Sequence, residues 1–140
     1  MTPRQTTLAG IESGIRIYSI GYGGRILKDI VKQLGSMDVE KLIDVRSYPN
    51  TRWFGKQHLE NMLGDNYASI PILGGKDFSP HQYKEWKAKV PKQVLDDLVR
   101  LSDDHIICLI CAEKDHRKCH RSYFVGRALK EDYGLEVRHI

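Results

Sequence analysis

Apolar and polar positions repeat with two different periods along the 140 residues. Residues 15–20, "IRIYSI", have strand composition and run into the glycine-rich turn "GYGGR". Next, "RILKDIVKQLGS" (25–36) sets Ile26, Ile30, Val31 and Leu34 at helical spacing, with Gly35 as a natural stop. "EKLIDVR" (40–46) predicts a second strand, closed by the Pro and Asn of "SYPN". "KQHLENML" (56–63) predicts a helix ending at Gly64, and "YASIPI" (67–72) a third strand followed by "LGGKDFSP".

Two helical stretches, "HQYKEWKAKV" and "KQVLDDLVRLS", are divided by Pro91. "HIICLIC" (105–111) is the most apolar run and predicts a central strand. A helix over 119–134, stopped at Gly134, and a last strand over 135–140 complete the pattern. Strands that alternate with helices need crossover connections and so pair in parallel. The pattern predicts one three-layer α/β domain over residues 15–140, Rossmann-like, with a mostly parallel sheet of about five strands, behind an N-terminal tail over 1–14.

Composition narrows the function classes. Hydrophobic residues make up 41% of the chain and charged residues 29%, which fits a packed domain and excludes a disordered one. A net charge of +4 leans basic, compatible with nucleic acid, nucleotides or another anionic ligand. No apolar run approaches the ~20 residues of a membrane span, and "MTPRQTTLAG" lacks the apolar region of a secretory signal. Three cysteines clustered in one segment do not make a disulfide framework, so a reduced, cytoplasmic protein without a membrane partner is expected. "GYGGR" matches neither the dinucleotide fingerprint nor the phosphate-binding loop of nucleotide hydrolases, so no cofactor is expected.

In a parallel sheet, ligands bind beyond the carboxyl ends of the strands. The loops predicted there are 21–25, 46–56, 73–76 and 112–121, and each carries Arg or Lys. Within 46–56, Arg46, Arg52 and Lys56 surround Trp53 and Phe54; the group either stacks on single-stranded nucleic acid or pins a long loop to the core. Asp44, late in the second strand, is a general base, a partner for Arg46 or a capping acid.

The densest chemistry is "CAEKDHRKCHR" (111–121). The C-x5-R spacing from Cys111 to Arg117 matches thiol phosphatases, but Glu113 and Asp115 would repel phosphate there. Cys108, Cys111, His116, Cys119 and His120 have metal-ligand chemistry. Yet Cys108 and Cys111, three apart on a strand, face opposite ways. Without Cys108 a four-ligand site must recruit His120, Glu113 or a distant residue, so no metal is expected. A reversible disulfide between Cys111 and Cys119, a helix cap by Asp115 with packed cysteines, and a ligand site formed by Glu113, His120 and Arg121 across Cys111 remain open.

Four blocks resemble the family catalogued as domain of unknown function 488: "SIGYGGR", "LIDVRSYPNTR", "LGG" and "ICAEKDHRKCHRS". The resemblance spans Ile17 to Ile140. Its second block maps to Asp44, Arg46, Ser47, Pro49 and Arg52, and its last to Cys111, Glu113, Cys119, His120 and Arg121. Members often carry Gly-His-Ser where this chain has Gly21, Tyr22 and Gly23, so a role for that histidine does not transfer. The resemblance also puts Arg117 in a variable loop and Cys108 outside the pattern.

The expectation is a small enzyme acting on a nucleotide, nucleic acid or other anionic substrate at a strand-end pocket. Cys111, Glu113 and Asp44 are the catalytic candidates. Gly21, Tyr22, Arg46, Ser47, Arg52, Gly74, Gly75, Cys119, His120 and Arg121 are the substrate-binding ones. The rival is a non-catalytic nucleic-acid-binding module; a zinc or redox thiol protein ranks behind both.

Overall fold

The continuous apolar runs become the middle of a sheet. A computed structural model describes residues 14–50 and 54–140. Its strands are β1 (Ile17–Gly21), β2 (Lys41–Asp44), β3 (Tyr67–Ser69), β4 (Ile107–Cys111) and β5 (Val137–His139). They form one sheet in the order β3-β2-β4-β1-β5, and every pairing is parallel. The two central strands, β1 and β4, are buried along their whole length, as their composition requires. The edge strands β3 and β5 have three residues each, short enough to limit edge-to-edge pairing. Relative to the dinucleotide-binding order 3-2-1-4-5, β1 and β4 have exchanged places. Except for Gly14, the tail expected over 1–14 lies outside the described residues, as do Arg52 and Trp53.

Among the described residues, five α-helices cover the sheet: α1 (Leu27–Ser36), α2 (Lys56–Leu63), α3 (Tyr83–Lys89), α4 (Lys92–Asp104) and α5 (Arg127–Tyr133). Ile30 and Leu34 of α1 and Leu59 of α2 pack on Tyr18, Ile20, Leu42, Cys108 and Ile110. Trp86 of α3, Leu95 and Leu98 of α4, and Ala128 and Leu129 of α5 pack on Ile17, Ile43, Val45, Leu109 and Cys111. This is the predicted three-layer α/β architecture, and Cys108 and Cys111 do fall on opposite faces. The faces follow from handedness. Leaving β1 and β2 toward the β3 edge, right-handed crossovers put α1 and α2 on one side; leaving β3 and β4 the other way puts α3, α4 and α5 on the opposite side.

Two elements differ from their sequence patterns. The strand predicted over 67–72 stops at Ser69, although the Ile70 N–H still donates to the Asp44 carbonyl at 2.9 Å. Pro71 has no N–H to continue the ladder and starts a 3-10 turn, Pro71–Leu73. The helix predicted over 119–134 begins later: Cys119 is extended, and Arg121–Gly126 form a wide π-helical turn before α5. Such turns concentrate at functional sites.

Register brings the strand ends level. Gly21 pairs with Cys111, Asp44 with Ile110, and Ser69 with Asp44, so four loops leave one edge side by side. Trp86, fully buried, links the core to this edge: its Nε1–H donates to the Gly74 carbonyl at 3.2 Å, while its ring stacks on Phe124 at 5.1 Å.

At the β5 edge, His139 stacks on His116 with ring centroids 4.0 Å apart and meets the Ser19 hydroxyl through Nδ1. The guanidinium of Arg121 can only donate, so Ser19 Oγ accepts from its Nε at 3.1 Å and turns its own proton to Nδ1. Burial, with the charges of His116 and Arg121, pushes the pKa of His139 down to about 4. The unfolded chain takes up this proton near about pH 6.5 and the folded chain only near pH 4. The contribution is therefore complete above about pH 6.5 and is lost as the pH falls toward 4. Urea unfolding at about pH 7.5 and about pH 5 should show a larger loss of stability for the wild type than for His139→Asn. Equal losses would contradict this assignment.

Candidate functional site

Residues from all four strand-end loops line one cleft of about 420 Å³, within the usual range for small-molecule pockets. Tyr22 follows β1; Arg46, Ser47 and Tyr48 follow β2; Gly75, Lys76 and Phe78 follow β3; Cys111, Glu113, Lys118, Cys119, His120 and Tyr123 come from the end of β4 and beyond. The sheet thus brings together most of the predicted residues.

Arg46 and Asp44 are both buried, at 4% and 0% exposure. The Asp44 carboxylate accepts from the Arg46 backbone N–H at 3.1 Å, from Nε at 2.8 Å and from Nη2 at 2.5 Å. It also accepts from the Tyr67 hydroxyl at 2.6 Å. Burial disfavours the Arg46 charge, but its bonds to Asp44 outweigh burial and hold the pKa above the usual range. Burial, then the bond to Asp44, likewise raises Tyr67. Of the three roles open to Asp44, the geometry matches the partner of Arg46. Arg46 reaches the cleft and points Nη1 at the Tyr22 hydroxyl, 3.4 Å away, while Tyr22 stacks on Phe54 at 4.2 Å.

The floor consists of Cys111, Cys119 and His120, exposed by 7%, 3% and 8%. His120 Nε2 lies 2.6 Å from the Val45 carbonyl oxygen, which can only accept, so Nε2 carries the proton and Nδ1 a lone pair. Both sulfurs stand 3.8 Å from Nδ1. A hydrogen bond between the thiols splits them. It raises Cys111, as does burial, and it lowers Cys119 against burial. Cys108, on the other face of β4, is pushed up by burial. Sequence reasoning dismissed metal by counting toward a closed four-ligand site. In the structure the ligand atoms of Cys111, Cys119 and His120 all lie within 4.8 Å of one another, a three-ligand set able to hold a metal ion.

Arg121 behaves differently from the surface cation its position suggests. It is fully buried, donating from Nε to Ser19, from Nη1 to the Glu113 carbonyl at 2.6 Å and from Nη2 to the Lys114 carbonyl at 3.3 Å. The guanidinium is a strut for the loop after β4 and does not line the cleft. Backbone contact tightens the same loop: the Tyr22 and Gly23 N–H groups donate to the Cys111 and Ala112 carbonyls at 3.0 and 2.9 Å. A Cβ on Gly21 would lie 1.9 Å from the Glu113 carbonyl oxygen, so this approach requires glycine. The same holds at Gly74, where a Cβ would lie 1.9 Å from Ser47 Oγ. Gly75 packs on the His120 side chain.

Arg117, the arginine of the C-x5-R spacing, is 80% exposed and engaged by Asp115, whose oxygens accept from its backbone N–H, Nε and Nη2, each at 3.0 Å. Asp115 therefore caps the short turn His116–Lys118 rather than a long helix. Glu113 is an exposed carboxylate at the rim, accepting from the Asp115 N–H at 3.1 Å.

Tyr48, Lys76, Phe78, Lys118 and Tyr123 also line the cleft and were not singled out from sequence. Tyr48 is 60% exposed, with the Lys76 ammonium 4.6 Å from its ring centroid. Isolated lysines and aromatics in loops carry little signal. A bulky ring between Ser47 and Pro49, at a predicted strand end, was the available one.

Fold and site define an all-parallel three-layer α/β protein whose strand-end cleft has a sulfur and imidazole floor and a basic, aromatic rim. The chain belongs to the family described as Domain of unknown function DUF488, whose model matches residues 26–128. That span includes the Asp44 and Arg46 pair, the two loop glycines and the whole of 111–121; Gly21 and Tyr22 lie just before it. No curated protein and no solved structure matches the chain.

Removing one member of a buried ion pair strands the other. Asp44→Asn should therefore destabilise the protein by about 3 to 5 kcal/mol in denaturant unfolding. A cost below about 1 kcal/mol would show that Arg46 does not depend on this carboxylate.

Proposed function

We propose that the chain is a small enzyme acting on a nucleotide, a nucleic-acid segment or another anionic substrate held in the strand-end cleft. The observation carrying this reading is the pairing of three cationic side chains, Arg46, Lys76 and Lys118, with a ring of aromatics around a floor of ionisable thiols and imidazole. A cation held within a wall favours anionic groups, and aromatic faces such as that of Tyr48 suit a planar base. Arg46 is already oriented by Asp44, so binding requires no further ordering of that side chain.

In this reading Cys111, Cys119 and His120 are the chemical centre. Glu113, at the rim and exposed, is the acid–base group. Asp44 acts through Arg46, because its carboxylate is buried beneath the cleft and fully engaged. Arg121, Gly21, Gly74 and Gly75 shape the walls, and Ser47 fixes the third loop through the Lys76 N–H, which its hydroxyl accepts at 3.3 Å. Arg52, outside the described residues, belongs to this reading as a further anion contact.

Binding of short single-stranded DNA and RNA, mononucleotides and inorganic phosphate, followed by calorimetry, tests the reading. For an oligonucleotide, log affinity should fall with log salt by about 0.7 per phosphate contacted. Lys76→Gln with Lys118→Gln should flatten that slope by about 1.4. Glu113→Gln should retain binding and abolish turnover. Absence of binding to every one of these anions at low salt would overturn the proposal.

A further inference from the structure

We propose that Cys111 Sγ, Cys119 Sγ and His120 Nδ1 form a zinc-binding site with its fourth coordination position open to the cleft. The inference rests on the cleft being the functional site and names the cofactor that it would use.

Geometry carries it. Around tetrahedral zinc, with sulfur at about 2.3 Å and nitrogen at about 2.0–2.1 Å, neighbouring ligand atoms stand about 3.5 to 3.8 Å apart. Both sulfurs lie 3.8 Å from His120 Nδ1, and the three ligand atoms all fall within 4.8 Å of one another. Cys111 Sγ also lies 3.9 Å from Nε2, almost equidistant from the two ring nitrogens, so closing the set on an ion requires its side chain to turn toward the Nδ1 lone pair. The imidazole is oriented as a zinc ligand requires: its other nitrogen donates to the Val45 carbonyl at 2.6 Å, fixing the tautomer that leaves Nδ1 bare. Metal-bound histidines make this outer hydrogen bond almost without exception.

The donor set selects the ion. Two thiolates and an imidazole suit zinc, while calcium and magnesium prefer oxygen. A three-ligand metal site uses all three side chains. Three protein ligands with one open position describe catalytic rather than structural zinc. The three residues are almost wholly buried from the protein side, and all of them line the cleft. The open position therefore faces the space where an anionic substrate would lie. Zinc bound there supplies a Lewis acid to a substrate oxygen, with Glu113 on the rim of the same cleft.

The test uses full-length protein, reduced and stripped with a chelator, then dialysed against zinc or cobalt(II). We expect about one equivalent by elemental analysis. Cobalt should give the thiolate charge-transfer band and the intense visible bands of a tetrahedral site. Cys108→Ser should match the wild type, whereas Cys119→Ser and His120→Gln should each weaken binding at least about tenfold. Zinc should also protect Cys111 and Cys119 of the wild type from alkylation, read by peptide mass spectrometry, which needs no variant to fold. Less than about 0.2 equivalents at saturating metal, an octahedral cobalt spectrum, or unprotected thiols would overturn the site. Nucleotide binding without metal would sink this inference and leave the cleft reading standing. Metal binding without any anion binding would do the reverse.

Discussion

A single buried cation organises the site. Arg121 has no exposed surface, and its donors reach a hydroxyl on β1 and two carbonyls in the loop after β4. A guanidinium left unsatisfied in that position would be too costly for the fold to tolerate. The loop must therefore bend until the Glu113 and Lys114 carbonyls point inward, and Gly21 must lack a side chain to admit it. Cys119 and His120, immediately before Arg121, are then carried over Cys111. The π-helical turn that begins at Arg121 widens the backbone where the loop becomes helix.

Asp44 and Arg46 solve the same problem by another route. There the buried cation has a carboxylate partner and faces outward into the cleft. One arginine is turned inward to hold the loop beyond β4, and the other lines the cleft beyond β2. Between them the His120 imidazole joins the two halves through the Val45 carbonyl at the end of β2. The cleft is thus assembled by internal hydrogen bonds before any ligand arrives, which is what precise positioning demands.

Much of this was legible in the sequence. The apolar run over 105–111 reads as a buried strand, and alternation along that strand separates Cys108 from Cys111. The parallel sheet followed from strand and helix order, and its strand-end edge located the four loops. Other features were not legible because they depend on neighbours distant in the chain. Arg121 reads as a ligand-binding cation until Ser19, on another strand, is seen to face it. The engagement of Asp44 needs Tyr67 from β3, and the three-ligand set needs Cys119 to stay extended where helical periodicity suggested helix. Counting ligands along one segment did not anticipate that Cys111 at the end of β4, Cys119 and His120 come within 4.8 Å of one another.

The central claim is that Arg121 holds the loop carrying the sulfur and imidazole floor. Hydrogen exchange on Arg121→Gln tests it most directly. Protection should drop at the Tyr22 and Gly23 amides, which bond the Cys111 and Ala112 carbonyls, and at Cys119 and Ser122, while the amides of 107–110 keep theirs. Unchanged protection at those loop amides in a folded variant would contradict the account.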